Sequence, residues 1–428
     1  MAIYLTPPSI LHQTVHLPAS KSISNRALLI DALCRRGHGM ADSSGRERVH
    51  NLSDCDDTRA MQRALTTDAG PIDIGAAGTA MRFMTAYLAV TPGTCVITGS
   101  ERMQHRPIGV LVEALRGLGA RIEYVGQEGF PPLRITGMES GEYSTDALSV
   151  QGDVSSQYIS ALLMIGPVVD GGLTLRLAGR IVSRPYIEMT LSMMRDFGAV
   201  AGWTDEQTIR VEPGGYRPTE YHIENDWSAA SYWYEMVALS EDEGAEVFLP
   251  GLFSNSLQGD SAVAGMFRPL GVLTEYTVNA DGTEAIRLTR CPRHDGPLCI
   301  DFQHQPDLAQ TFVVTSAMLG IPFRFTGLQS LKIKETDRIL ALCTELRKLG
   351  YALTDEGEGI LTWHGGRCPA EENPAIDTYE DHRMAMAFAP AALRRGRLCI
   401  RHPEVVSKSY PAFWEHLSAA GFNLTEIP

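Results

Sequence analysis

Ser20-Lys21-Ser22-Ile23-Ser24-Asn25-Arg26-Ala27-Leu28-Leu29-Ile30-Asp31-Ala32-Leu33 begins as a loop of small polar residues and runs directly into a segment rich in Leu and Ala. Small polar side chains cap a helix start, and the apolar residues behind them suit a helix packed inside the molecule. The same pattern returns near Ala76 (AAGTAMRFMTAYLAV), Ser155 (SSQYISALLMIG), Asp226 (DWSAASYWYEMVAL), Asp307 (DLAQTFVVTSAML) and Asp381 (DHRMAMAFAPAAL), six copies in all. Their spacing of roughly 55 to 80 residues is longer than a simple solenoid repeat, so each copy belongs to a larger αβ unit.

Strand-like runs lie between the copies, for example Thr94–Thr98, Leu173–Leu177 and Phe323–Gly327. A second helix type follows some of them, at Pro107–Leu115 and Pro185–Leu191, where an Arg-Pro step opens the helix. A further helix is expected over Glu335–Leu349, ended by Gly350. The fold class expected is α/β, in two similar lobes of three repeated αβ units each, divided near residue 225.

With 428 residues, 44% of them hydrophobic and 21% charged, the chain has apolar material for two cores and no composition that favours disorder. The opening Met1-Ala2-Ile3-Tyr4-Leu5-Thr6-Pro7-Pro8 lacks a basic start and a continuous apolar run, which predicts a cytoplasmic protein with no membrane association. The eight cysteines stand singly, without a CxxC pair or histidine spacing, so reduced thiols and no metal site are expected. A formal net charge of −14 opposes binding to nucleic acid or anionic membranes. Clustered lysines and arginines in such a chain need a local reason, and a small anionic ligand supplies one.

The cations do gather where helices begin. Lys21 and Arg26 stand among serines, as surface residues beside caps or as an anion site. The loop Gly75-Ala76-Ala77-Gly78-Thr79-Ala80-Met81-Arg82 lets a ligand approach the backbone and matches no nucleotide fingerprint. Arg106 precedes a proline-led helix, and Ser155-Ser156-Gln157 offers hydroxyl and amide groups suited to a polyol or a phosphate ester. In the second half, Lys334 and Arg338 are four apart and so would share one helical face beside Glu335. Arg383 places a cation at a helix N-terminus, an end that normally prefers anions, and Lys408 stands in Ser407-Lys408-Ser409-Tyr410-Pro411.

In this order, Leu17-Pro18-Ala19-Ser20-Lys21-Ser22, Ala76-Ala77-Gly78-Thr79-Ala80-Met81-Arg82, Arg106-Pro107-Ile108-Gly109, Gly152-Asp153-Val154-Ser155-Ser156-Gln157, Pro306-Asp307, Ile333-Lys334-Glu335-Thr336-Asp337-Arg338, Asp381-His382-Arg383-Met384 and Ser407-Lys408-Ser409-Tyr410-Pro411 resemble the EPSP synthase family over nearly the whole chain. The resemblance implies an inside-out α/β barrel in each lobe (EPT/RTPC-like), with the lobes hinged around a central cleft. It implies lobes of residues 19–225 and of 1–18 plus 226–428, joined by crossovers near 18 and 225.

The same resemblance implies that phosphoenolpyruvate is held by Lys21, Gly78, Arg106, Gln157, Arg338, Arg383 and Lys408. Shikimate 3-phosphate is implied to contact Ser22, Arg26, Ser155, Ser156, Ser183, Asp307, Ser330 and Lys334. Two phosphates and two carboxylates call for such cations and oriented donors. Asp307, Glu335 and Lys21 are implied as the proton-transfer and charge-stabilising groups of an enolpyruvyl transfer that uses no cofactor and no metal, in a monomer. Ala76 and Ser330 stand where the family often has Asn, and Phe83 where it often has Pro; the shorter Ser330 leaves room for a water or a shifted loop. Two other readings remain: the related transfer to a UDP-linked amino sugar, which usually shows a cysteine before the Arg-Pro step where this chain has Met103-Gln104-His105, and a noncatalytic anion-binding protein on the same scaffold.

Overall fold

Helices Trp227–Leu239, Ala309–Leu319 and His382–Phe388 are buried around nearly their whole circumference, with only Ser228 and Leu319 partly exposed. A helix apolar on every side must be surrounded by other elements, and the sheets of this protein form around such helices. The structure is a computed structural model that describes residues 1–37, 48–67, 70–139, 141–143, 145–279 and 282–427. Its described chain divides into two compact units, Ala19–Ile223 and Met1–Pro18 with Glu224–Pro428.

In the unit Ala19–Ile223, Ile72–Asp73 pairs in parallel with Thr94–Thr98, which pairs antiparallel with Leu133–Thr136, and Arg121–Tyr124 closes the sheet. Parallel neighbours need a crossover, supplied by the helix Gly78–Ala89; the helix Gly109–Leu118 leads into the antiparallel pair. A second sheet repeats this plan: Ala147–Gln151 parallel to Leu173–Ala178 across the helix Ser156–Ile165, then Thr208–Val211 and Ala201–Trp203 after the helix Arg184–Asp196. The third repeat contributes the helices Lys21–Gly37 and Asp56–Leu65 and, among the described residues, a two-stranded parallel pair of Val49–His50 with Tyr221–His222. The inner helices Lys21–Gly37, Gly78–Ala89 and Ser156–Ile165 pack on one another.

The other unit holds three sheets of the same plan. Leu298–Asp301 lies parallel to Phe323–Thr326, followed by Ile360–Trp363 and Thr354–Gly357. Ala375–Ile376 lies parallel to Leu398–Arg401, whose antiparallel neighbour is Ala2–Thr6, with Asn423–Ile427 beyond it. His12–Thr14 lies parallel to Glu246–Pro250, followed by Glu284–Arg290 and Val272–Val278. The first eighteen residues belong with the second half of the chain because two of its sheets need their strands. Phe302, Phe312, Phe323 and Phe325 fill its core, with Phe302 centroids 5.3 and 5.1 Å from those of Phe312 and Phe325.

All six small-residue helices are present, and Arg184–Asp196 carries a proline in its first turn as expected. Two helix starts differ. Pro107 lies outside the helix, which begins at Gly109, because Ile108 takes a non-helical φ of −139° and its N–H bonds the Gly129 carbonyl at 2.9 Å. Lys334 and Glu335 also lie outside their helix, so Lys334 and Arg338 do not share a helical face. There, Asp337 accepts from the Leu340 N–H at 3.1 Å and so caps a helix that starts at Arg338. Among the described residues no helix is long and apolar enough to cross a membrane.

Candidate functional site

In the unit that contains Glu224–Pro428, four cations and three carboxylates are interleaved. Asp307, on the 3-10 turn Pro306–Leu308, meets Lys334 Nζ at 3.8 Å, Arg338 Nη1 at 3.4 Å and Arg383 Nη2 at 2.9 Å. Glu335 accepts from Lys408 Nζ at 2.8 Å and from Arg338 Nη2 at 2.9 Å. Asp381 accepts from Arg338 Nε at 2.6 Å and, through its other oxygen, from the Arg383 backbone N–H at 2.9 Å, which caps the helix His382–Phe388. Arg338 is thus the hub that connects all three carboxylates.

Burial sorts these groups. The side chains of Arg338 and Asp381 are 2% and 0% exposed, whereas Asp307 and Glu335 keep 21% and 14%. Burial alone would lower the Arg338 pKa, but Asp381 first, then Glu335 and Asp307, hold it above the ordinary arginine value. Arg338 with Asp381 is therefore a fixed support, while Asp307 and Glu335 present their carboxylates toward solvent. Carboxylates held between cations can take and return protons, and the cations around them attract anions. Ser330 is half-buried on the neighbouring 3-10 turn Gln329–Ile333.

A second group of residues lies in the unit Ala19–Ile223. Lys21 opens the helix Lys21–Gly37 and its Nζ stands 3.2 Å from Asp57 Oδ2, with 16% and 5% of the side chains exposed. Gly78 opens the helix Gly78–Ala89, and the Arg106 guanidinium lies against it so closely that a Cβ there would stand 2.5 Å from Nη1. The turn carrying Arg106 is fastened by Arg82 and Tyr158, which donate to the Pro107 carbonyl at 3.0 and 2.6 Å. Gln157 Nε2 donates to Thr79 Oγ1 at 3.1 Å, so Gly78, Arg106 and Gln157 surround one helix start.

Ser155 caps the helix Ser156–Ile165 by accepting from the Gln157 N–H at 3.4 Å. Ser183 precedes the helix Arg184–Asp196 in the left-handed region, φ 52°. Arg26 is 3% exposed; it donates to the Ser22 carbonyl at 2.9 Å, Ser160 Oγ at 3.0 Å and Thr190 Oγ1 at 2.8 Å. Burial lowers its pKa to about 10, with Tyr186 opposing. No carboxylate is among those three acceptors, two hydroxyls and a carbonyl, so Arg26 brings positive charge to a group of neutral acceptors.

Two participants escaped the sequence reasoning. Asp57, the partner of Lys21, sits in the first turn of the helix Asp56–Leu65, where an acidic residue reads as an ordinary complement to the helix dipole. Asp260, on the 3-10 turn Gly259–Ala262, is 3% exposed and hydrogen-bonded to Ser228 Oγ. Burial first and the Asp307 charge second raise its pKa to about 7, while Arg383 and Ser228 pull it down. Nothing in the local sequence marks it, because its neighbours come from distant segments. Among the described residues no three His, Cys, Asp or Glu side chains are grouped to hold a metal ion.

Comparison with known proteins places this geometry. A family model described as EPSP synthase (3-phosphoshikimate 1-carboxyvinyltransferase) matches residues 62–417. A 3-phosphoshikimate 1-carboxyvinyltransferase of Bacteroides fragilis is 57% identical over 424 residues, covering 99% of each chain. One from Vibrio cholerae is 36% identical over 446 residues, covering 97% of this chain and 98% of the relative. Among solved structures, EPSP synthase from Acinetobacter baumannii matches with a TM-score of 0.74 at 22% identity, covering 99% of this chain and 100% of that one. An enolpyruvyl transferase from Streptomyces tendae matches with a TM-score of 0.70 at 16% identity, covering 100% and 99%. At these identities the two solved structures bear on the fold alone.

Proposed function

The chain belongs to the EPSP synthase (3-phosphoshikimate 1-carboxyvinyltransferase) family, and from that premise we propose that it transfers the enolpyruvyl group of phosphoenolpyruvate to the 5-hydroxyl of shikimate 3-phosphate. The observation that carries the assignment of roles is the arrangement around Arg338, in which two partly exposed carboxylates, Asp307 and Glu335, are each flanked by cations. The substrate hydroxyl adds to C2 of phosphoenolpyruvate while its methylene carbon gains a proton. The methyl group then loses a proton, the C–O bond to phosphate breaks, and the double bond re-forms. The products are EPSP and phosphate.

Asp307 orients and deprotonates the hydroxyl, and Glu335 delivers and recovers the methyl proton. Lys21 neutralises charge on the departing phosphate or shares in the proton transfer. Positioned acid–base groups of this kind contribute about 10²- to 10⁴-fold, and cations fixed in advance stabilise the developing charge without reorganising. Phosphoenolpyruvate is held by Lys21, Gly78, Arg106, Gln157, Arg338, Arg383 and Lys408. Shikimate 3-phosphate is held by Ser22, Arg26, Ser155, Ser156, Ser183, Asp307, Ser330 and Lys334. The enzyme works as a cytoplasmic monomer on small molecules, its net charge of −14 opposing nucleic acid.

The test supplies purified protein with both substrates, and with each alone, and follows phosphate release and product mass. Product heavier by one enolpyruvyl group, formed in step with phosphate, supports the reading. Turnover with a UDP-linked amino sugar in place of shikimate 3-phosphate would replace it with the related transfer, and turnover of neither acceptor by folded protein would replace it with a binding role.

A further inference from the structure

Asp381 is reached through a turn that its own residues disfavour. The Asp381 N–H donates to the Thr378 carbonyl at 2.8 Å, and the two residues between them, Tyr379 and Glu380, have φ of 53° and 57°. Positive φ at both central positions is the signature of a type I′ turn, which Asn and Gly adopt readily and residues such as Tyr and Glu do not. Strained backbone of this kind persists only where the surroundings over-determine it, and it collects at functional sites.

The surroundings here centre on Glu345, whose side chain is 0% exposed in the helix Arg338–Lys348. Its Oε1 accepts from the Tyr379 hydroxyl at 2.5 Å and its Oε2 from the Asp377 N–H at 3.0 Å. Lys348 joins the same knot, 2.7 Å from Glu345 and 2.8 Å from Asp377, and donates to the Ala375 carbonyl at 3.0 Å. Glu345 lies about two helical turns beyond Arg338, and Arg338 is the residue bonded to Asp381. One helix therefore grips the segment 375–381 at two points, with the strained turn between them.

We propose that Tyr379 and Glu345 form a latch that holds the Thr378–Asp381 turn in its left-handed form and so positions Arg338 and Arg383 to bind the anion. Both latch members are positioning residues and touch no substrate; the proposal rests on the reading of Arg338 and Arg383 as phosphoenolpyruvate ligands. Without the latch the turn relaxes, Asp381 shifts, and the two guanidiniums lose their common orientation. A cross-link that served stability alone would leave their geometry, and the affinity for phosphoenolpyruvate, unchanged.

The test compares Tyr379→Phe, Glu380→Gly, the double variant and Arg383→Lys by steady-state kinetics in both substrates, with melting temperatures alongside. Tyr379→Phe removes one hydroxyl from a residue that is 38% exposed. It is expected to raise KM for phosphoenolpyruvate about tenfold, the effect of one lost hydrogen bond to a charged acceptor, with kcat and KM for shikimate 3-phosphate within about twofold. Glu380→Gly adopts positive φ without strain, so it keeps KM at the parent value alone and restores it in the double variant. A lowered melting temperature with KM for phosphoenolpyruvate unchanged in Tyr379→Phe would overturn the latch, as would a double variant that stays weak. If Tyr379→Phe does not fold, the double variant decides: a parent-like KM supports the latch and a raised one overturns it. An unchanged KM in Arg383→Lys would instead overturn the underlying ligand reading.

Discussion

Arg338 Nε donates to Asp381 Oδ2 at 2.6 Å in a pair whose side chains are 2% and 0% exposed. A buried pair of this kind adds little net stability over a packed apolar pair, yet breaking it by removing one partner is costly because a charge is stranded. Arg338 keeps Glu335 and Asp307 when Asp381 is lost, which places the expected cost of Asp381→Ala at the lower end, about 3 kcal/mol. Urea unfolding monitored by fluorescence checks this, and a change below about 1 kcal/mol would show that the remaining carboxylates suffice.

Glu335 lies between Arg338 and Lys408 and is assigned the methyl proton. Glu335→Gln keeps the shape and removes the basic oxygen, so kcat is expected to fall by about 10²- to 10⁴-fold while both substrates still bind. Rapid-quench turnover together with calorimetric binding separates the two effects. Near-normal turnover would remove Glu335 from the mechanism.

A methyl group added at Gly78 would stand 2.5 Å from Arg106 Nη1, the mobile end of a long side chain. The chain can yield there, so Gly78→Ala is expected to alter stability by no more than about 1 kcal/mol. The guanidinium must nevertheless move, and KM for phosphoenolpyruvate is expected to rise about tenfold or more, a loss of about 1.4 kcal/mol of binding. Steady-state titration of that substrate is the check, and an unchanged KM would mean that Arg106 does not contact it.

Asp260 holds its proton to about pH 7 in the folded protein, against an ordinary carboxyl near 4. The folded state therefore binds the extra proton between those values, and its contribution to stability is present at low pH and is lost as pH rises toward 7. The slope is at most about 1.4 kcal/mol per pH unit. Asp260→Asn removes the slope, so wild type should lose stability relative to the variant between about pH 4 and pH 7. Parallel urea-unfolding curves for the two proteins across that range would count against the raised value.

What the sequence makes legible is local. A helix such as Ser156–Ile165 announces itself because its cap Ser155, its small residues and its apolar run are contiguous. Long-range partners leave no such trace. Asp57 beside Lys21, Asp260 near Asp307, and Glu345 beneath Tyr379 are joined by topology rather than spacing. The helix start expected at Glu335 shows the competing rule: i,i+4 spacing of Lys334 and Arg338 suggested one face, and the capping preference of Asp337 overrode it. Of the cluster around Arg338, the residue identities were readable from motifs, but the interleaving of cations with carboxylates needed the fold.

The strand Ala2–Thr6 has Leu398–Arg401 on one side and Asn423–Ile427 on the other. During synthesis it emerges from the ribosome long before either neighbour and must wait for both. The segment Ala19–Ile223 has all its own strands once Ile223 has been made, and domains that are complete fold early. The other unit is assembled from residues 1–18 together with residues from 224 onward, with pairings of very high sequence separation that close slowly. Until residues 423–427 appear, the nascent chain carries a strand with an open edge, so the order of translation runs against the order of assembly in one half of the enzyme and with it in the other.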